Sequence, residues 1–306
     1  MAQGVPSGPR TACSSAGIVW MSGNSSVHSA VAAALAAYFD GLHGCDVERL
    51  KDCWHPSGEL YGVGPDSSLV TRDAEKFFAG IVTREKSPEL AKEDKILSLT
   101  VLDEYTAAAK VQITLPPSTA SPIPAVGNTV YTDFLVLLLD ATLGWKIISK
   151  VFASGQASNA IASKDFVDVL EAANRYLAAG RAQDGAGMAK VFHPSCRLTF
   201  SLGGSITIIS SAQFCERVEK RWEMDIHKAW SHLKDDPRIA SGDTLLGVDF
   251  AGPKEALVTL KVGYPPFLYT DFLSFCKLGE GEAAQWWITA KSSCNVPFLA
   301  EEGKQT

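Results

Sequence analysis

The hydrophobic positions follow a helical period first and a strand period afterwards. In the alanine-rich run 27–42, Val31, Leu35, Tyr38 and Phe39 fall on one helical stripe, and Gly41 and Gly44 end it. Asp46 is placed to cap a second helix over 47–53, which stops before His55-Pro56. A short strand at 59–63 is closed by Gly64-Pro65-Asp66. Thr71 and Asp73 then suit the start of a third helix, 74–86, with Phe77, Phe78, Ile81 and Val82 inward. Beyond it the pattern predicts strands over 95–103, 106–115, 129–140 and 145–152, with a Pro- and Ser-rich loop at 118–128. Three helices around one short strand, followed by an antiparallel meander, is an α+β pattern.

The same order is then written again. Helices are expected at 166–179 and 186–191, a short strand at 197–202, and a longer third helix over 211–233. Strands follow at 244–250, 256–264, 269–278 and 285–291. Tyr131-Thr132-Asp133-Phe134-Leu135 recurs as Tyr269-Thr270-Asp271-Phe272-Leu273, an offset of 269 − 131 = 138. His55-Pro56-Ser57 and His193-Pro194-Ser195 share that offset, as do Tyr38 and Tyr176. Three landmarks in one order at one spacing indicate a duplication. The first half has the longer loop before its Tyr-Thr-Asp strand, and the second has the longer third helix. The expected division is a disordered segment 1–26, a first domain 27–154, a linker 155–163, a second domain 164–298 and a tail 299–306.

Composition narrows the picture modestly. At 306 residues, with 46% hydrophobic and 20% charged residues, the chain suits two ordinary globular domains. A net charge of −6 argues against nucleic acid as a partner. No apolar run reaches the ~20 residues of a membrane span. The seven cysteines show no CxxC pair and do not repeat between halves, which favours reduced thiols and a cytoplasmic location. The N-terminal segment lacks acids and carries Arg10 among serines, a composition also compatible with a transit peptide.

Trp54-His55-Pro56, Phe192-His193-Pro194, the two Tyr-Thr-Asp-Phe-Leu strands, and Gly144 to Phe152 (GWKIISKVF, reduced to Trp287-Ile288-Thr289-Ala290-Lys291 in the second half) resemble the NTF2-like superfamily, in particular its lumazine-binding or SnoaL-like group. The resemblance implies two cones in tandem, each a curved antiparallel sheet wrapped around helices and enclosing a pocket, packed as an intramolecular pseudo-dimer. It implies a small hydrophobic or aromatic ligand, no cofactor, and either a monomer with an internal pseudo-dimer or a homodimer. Relatives include isomerases, cyclases, dehydratases and binding modules, so fold alone leaves function open.

Asp133 and Asp271 are the sharpest candidates. Each shares a strand face with Tyr131 or Tyr269, two residues away. On a concave apolar face such a carboxylate is suited to general acid or base work, with the tyrosine polarising a substrate oxygen. Facing outward, the same residues would belong to the sheet interface. His55 and His193 are candidate acid–base groups near neutral pH, or simply turn residues before proline. Glu59, Tyr61 and Trp54 are candidate ligand contacts; Glu59 and Tyr61 correspond to Arg197 and Thr199, an asymmetry suggesting that one pocket has diverged. Lys150 and Lys291 read by default as solvated strand ends, with binding of an anionic substrate as the alternative, and His227 and His232 as a solvated helix without metal. Two functions remain open: a cofactor-free isomerase, cyclase or dehydratase using a pocket Asp, and a non-catalytic ligand-binding or protein-assembly module.

Overall fold

The structure, a computed structural model, describes residues 15–117, 127–155, 161–202, 204–234, 236, 237, 239 and 242–297. Most of the expected loop 118–128 and of the linker, and the tail, lie outside the described residues. The first domain runs α1 (Ser15–Gly44), α2 (Val47–Lys51), β1 (Trp54–Val63), β2 (Leu69–Asp73), α3 (Ala74–Ile81), β3 (Lys95–Val101), β4 (Thr106–Leu115), β5 (Thr129–Asp140) and β6 (Gly144–Ser154). The second repeats the order as α4 (Ser163–Arg181), α5 (Gly185–Ala189), β7 (Phe192–Leu202), β8 (Ser205–Ser210), α6 (Ser211–Glu219), α7 (Asp225–Lys228), β9 (Thr244–Gly252), β10 (Glu255–Tyr264), β11 (Phe267–Leu278) and β12 (Gln285–Pro297). The first helix begins at Ser15, inside the segment expected to be disordered.

Local chemistry sets the helix starts. The Asp46 carboxylate accepts from Arg49 N at 3.0 Å, and Asp73 accepts from Lys76 N at 2.8 Å. Ser210 and Gln213 form a reciprocal capping box on α6. Such caps contribute about 1 kcal/mol each. On α1, Val31, Leu35 and Tyr38 of the predicted stripe are buried, Phe39 is half-buried, and Leu42 joins the buried face.

Each domain has one six-stranded sheet, β2-β1-β6-β5-β4-β3 and β8-β7-β12-β11-β10-β9. The meander is antiparallel as expected. β1 and β6 run parallel, as do β7 and β12, so each sheet is mixed. β1 starts at Trp54, which puts the His-Pro pair inside the strand rather than in a turn before it. The second strand of each domain was invisible in the pattern: Leu69–Asp73 is short, mostly exposed, and lies at a sheet edge. The expected single helix over 211–233 is broken. Met224 adopts extended backbone (φ −66°, ψ 137°) between a short 3-10 turn, Arg221–Glu223, and α7.

Three apolar clusters organise the molecule. One lies between the helices and the inner face of each sheet. The third joins the two sheets back to back, through Phe134, Val136, Leu138, Ile148 and Val151 on one side and Leu257, Phe272, Cys276 and Ala290 on the other. Polar links border it: Lys110 to Asp249 at 2.7 Å, Lys254 to Ser67 at 2.8 Å, and Ala141 N donating to Gly204 O at 2.9 Å. The two halves therefore pack as an internal pseudo-dimer.

Candidate functional site

The duplicated carboxylates face inward, each at the centre of a polar cluster in an apolar core. In the first domain Tyr38 on α1 donates to Asp133 Oδ2 at 2.8 Å. Lys150 on β6 donates to the same oxygen at 2.7 Å and to the Tyr38 hydroxyl at 2.6 Å. In the second domain Tyr176 on α4 donates to Asp271 Oδ2 at 2.7 Å, and Lys291 on β12 pairs with Asp271 Oδ1. Asp133 and Asp271 are fully buried, Lys150 is 6% exposed and Lys291 3%. The lysines were expected at solvated strand ends, and their burial reverses that reading.

A bulge explains the reversal. Val136 pairs with Ser149 but Leu137 pairs with Ile147, so one extra residue is accommodated in β6. Ser274–Ala290 and Phe275–Ile288 repeat the irregularity in β12. The bulge shifts the alternation by one, turning Lys150 to the same face as Ile147.

Each ammonium sits among three aromatic rings. Lys150 Nζ lies 5.4 Å from the ring centre of Tyr38 and 5.7 Å from those of Phe77 and Phe152. Lys291 Nζ lies 5.8 Å from Tyr176 and 5.7 Å from Phe200 and Phe214. The third ring comes from different strands. Phe152 on β6 fills the space beside Gly62, where an added Cβ would lie 2.5 Å from the ring. In the second domain the Gly62 position is Phe200 and the Phe152 position is Ser293. The Ser293 hydroxyl donates to Asp271 Oδ1 at 2.6 Å, whereas Asp133 Oδ1 has no hydrogen-bond partner. Burial raises the tyrosine hydroxyls in both clusters well above their usual range, reinforced by the adjacent carboxylates. Burial pushes Lys291 down, partly offset by Asp271.

The second cluster opens onto a cavity of about 100 Å³ bounded by Tyr176, Asp271, Lys291, Tyr269, Arg221 and His227, among others. Tyr269 stands two residues from Asp271 on the same strand face, and burial raises its hydroxyl to about 12. His227, expected on a solvated helix, is buried. Its Nδ1 lies 2.7 Å from Pro265 O, so Nδ1–H donates, and burial lowers its pKa. A larger cleft of about 610 Å³ lies between the domains, lined by Val63, Gln112, Thr132, Lys254 and Glu255 among others. Its polar groups, Gln112, Thr132, Ser154, Lys254 and Glu255, include no buried ion pair of the Lys291–Asp271 kind among the described residues.

Other sequence candidates fall elsewhere. His55 and His193 each accept a backbone N–H two residues on, from Ser57 and Ser195, at 3.1 Å, and neither joins the carboxylate clusters. Burial lowers both pKa values, and His193 packs edge-on to Trp287. Trp54 is buried in the first core with its ring centre 4.6 Å from that of Phe77. Tyr61 and Glu59 face the opposite side of β1 from Leu60, and that side is the domain interface. Tyr61 donates to Glu59 at 2.6 Å, and Glu59 pairs with Arg197 at 3.1 Å. Glu59 and Arg197 are equivalent positions, 197 − 59 = 138 apart. Two copies of either residue would meet as like charges, so this asymmetry belongs to the pairing of domains rather than to a diverged pocket. Sequence reasoning missed Tyr38 and Tyr176 as site residues, although their shared offset was a usable signal.

Comparison with known proteins agrees with this architecture. A profile described as "Putative lumazine-binding" matches residues 26–153 and again 164–292. The chain therefore belongs to that family, as two tandem NTF2-like domains with a ligand-binding fold. Among curated proteins it is similar to "Aldolase FrzH" from Cladobotryum sp, 28% identical over 131 residues, covering 42% of this chain and 93% of that protein. Similar solved structures include an NTF2-like protein from Shewanella baltica (20% identity, 42% of this chain and 94% of that one, TM-score 0.35). Another is a ketosteroid isomerase-like protein from Erwinia carotovora (13% identity, 41% and 94%, TM-score 0.31). No helix among the described residues is long and apolar enough to cross a membrane.

Proposed function

We propose that the second domain is a cofactor-free enzyme site that moves a proton at the carbon beside a carbonyl group, and that the first domain is its structural partner. The observation that carries this reading is the cavity lined together by Lys291, Asp271, Tyr176 and Tyr269. Three donors engage the Asp271 carboxylate, so Lys291 is the group with a proton to exchange. Burial eases loss of that proton, partly offset by Asp271, and this is the direction a general base needs.

In the forward step the neutral amine takes the α-proton: the C–H bond breaks, an N–H bond forms, and the electron pair moves onto the carbonyl oxygen. Asp271 stabilises the ammonium so formed, and the Tyr269 hydroxyl donates to the developing oxyanion. Return of the proton to another carbon gives isomerisation. Attack of the enolate on a second carbonyl, with the Lys291 ammonium returning its proton to the new alkoxide, gives aldol or cyclisation chemistry; expulsion of a β-hydroxyl as water, with that same proton, gives dehydration. Similarity to a protein called an aldolase supports carbonyl chemistry as the common class.

The non-catalytic alternative fits the first domain. There Phe152 occupies the space beside Gly62, and the Tyr38–Asp133–Lys150 triangle is closed on itself. The test is exchange of acetone and pyruvate methyl protons for deuterium, followed by NMR in D₂O. Lys291→Met and Asp271→Asn are expected to remove the protein-dependent rate. If Lys291→Met exchanges as fast as wild type, the reading is wrong.

A further inference from the structure

Arg221 is a buried cation with no counter-ion among the described residues. It is 8% exposed, its guanidinium lies 3.4 Å above the Tyr264 ring, and its Nη1 has no hydrogen-bond partner. Among the described residues no carboxylate pairs with it. An unneutralised buried charge costs several kcal/mol, so a protein retains one only where something compensates. The ring face accounts for one side of the guanidinium and leaves the edge with Nη1 unmatched.

The first domain shows what a fully employed arginine looks like at this position. Counting from the helix caps Asp73 and Ser210, an offset of 210 − 73 = 137, Arg221 corresponds to Arg84. Arg84 Nη1 donates to Pro116 O at 2.9 Å and Nη2 to the Tyr131 hydroxyl at 3.3 Å. Pro265 takes the place of Pro116 at the end of the second-domain strand, but its carbonyl is taken by His227. The break in the helix at Met224 that brings His227 inward thus releases Arg221 from the structural bond its counterpart makes. The freed guanidinium lines the cavity that also holds Lys291 and Asp271, with Arg217 exposed at its edge.

Resting on the reading of this cavity as the reactive site, we propose that Arg221, assisted by Arg217, is a carboxylate subsite, so that the ligand is a small carbonyl compound bearing a carboxylate. With Lys291 as the neutral base, Arg221 and Arg217 set two guanidinium charges against the single carboxylate of Asp271, and a monoanion balances the excess. The charge favours an anion over the neutral apolar or aromatic molecule that the resemblance implied. Size agrees: about 100 Å³ is below the ~150 Å³ of a cavity that accepts benzene and suits a molecule of few heavy atoms. A planar guanidinium edge can take a carboxylate in two parallel hydrogen bonds. With the carboxylate held there, the adjacent carbonyl is directed toward Tyr269 and Lys291.

The test uses pyruvate and acetone as charged and neutral probes on the full chain, with binding titrated by ligand-detected NMR and deuterium exchange read on the same samples. Wild type is expected to bind pyruvate more tightly than acetone. Arg221→Met should weaken pyruvate binding by about 10- to 100-fold, the range for a lost charged hydrogen bond, and leave acetone unchanged. The same substitution should raise the melting temperature, because it removes an uncompensated buried charge; a structural arginine would lower it. Unchanged pyruvate affinity in Arg221→Met, no preference of wild type for pyruvate, or a lowered melting temperature each overturns the subsite. Pyruvate that binds through Arg221 without exchanging its protons leaves the subsite standing and refutes the proposed reaction instead. Acetone exchange that depends on Lys291 while pyruvate binding ignores Arg221 does the reverse.

Discussion

The two domains carry the same buried Tyr–Asp–Lys cluster and surround it differently. In the first, Phe152 fills the space beside Gly62, Arg84 is bonded to Pro116 and Tyr131, and the cluster bonds only to itself. In the second, Phe200 and Ser293 have exchanged the ring and the small residue, His227 has taken the proline carbonyl, and a cavity opens beside Asp271. In the first domain the cluster is enclosed by packed side chains, with no ring-free space left beside Gly62. What distinguishes the second domain is not the shared carboxylate but the unshared shell around it. A motif repeated in both halves is therefore weak evidence for two active sites, and the differing neighbours are the better guide.

The largest expected effect separates the two lysines by activity. Lys291→Met should cost about 10²- to 10⁴-fold in the deuterium-exchange rate, the usual contribution of a general base. Lys150→Met should leave that rate unchanged in whatever fraction of the protein remains folded. Equal losses from both, measured at matched folded concentration by NMR, would erase the functional distinction between the domains.

Stability gives the next contrast. Lys150→Met strips the fully buried Asp133 of its ammonium partner, and should cost roughly 3–5 kcal/mol in urea unfolding. Because Asp133 Oδ1 already lacks a partner, the double change Asp133→Leu with Lys150→Met should recover most of that loss. A double variant no more stable than the single one would show that the ion pair itself, and not the orphaned charge, holds the first core.

A third difference lies at the domain boundary. Glu255, 5% exposed, is raised from 4.5 to about 7 by burial, while its counterpart in the first domain is Thr106, which does not titrate. Lys254 and the Val63 backbone amide are the groups that oppose the shift. Between pH 4.5 and 7 the folded state holds a proton that the unfolded state has released. Stability is therefore fully present below 4.5 and declines as pH rises through 7, by roughly 3 kcal/mol for a shift of this size. Glu255→Gln should remove this decline, with melting temperature against pH as the readout; an unaltered slope would reassign it to other groups.

The smallest effect concerns the interface charges. Arg197→Glu places two glutamates at equivalent positions facing each other, and the reciprocal swap with Glu59→Arg should restore the pair. These side chains are 43% and 20% exposed, so each step should change stability by no more than about 1 kcal/mol. Failure of the double swap to recover what the single one loses would show that Arg197 acts through its bond to Ser57 O rather than through charge.

Much of the architecture was determined by the sequence itself. Helical and strand periods located every long element, with β4 and β5 found to the residue. The 138-residue offset exposed the duplication because duplicated cores keep their inward residues. That Tyr131 and Asp133 share one face was legible because alternation is a local property of a strand; that this face is the inner one was decided by packing. What required tertiary structure was everything set by non-local pairing. The bulges at Ile148 and Thr289 reversed the facing of both lysines, the short edge strands gain order only from β1 and β7, and Glu59 opposes Arg197 only once the sheets stack. The fate of Arg221 was likewise decided in three dimensions: a guanidinium is structural or free according to whether another side chain has already claimed the Pro265 carbonyl.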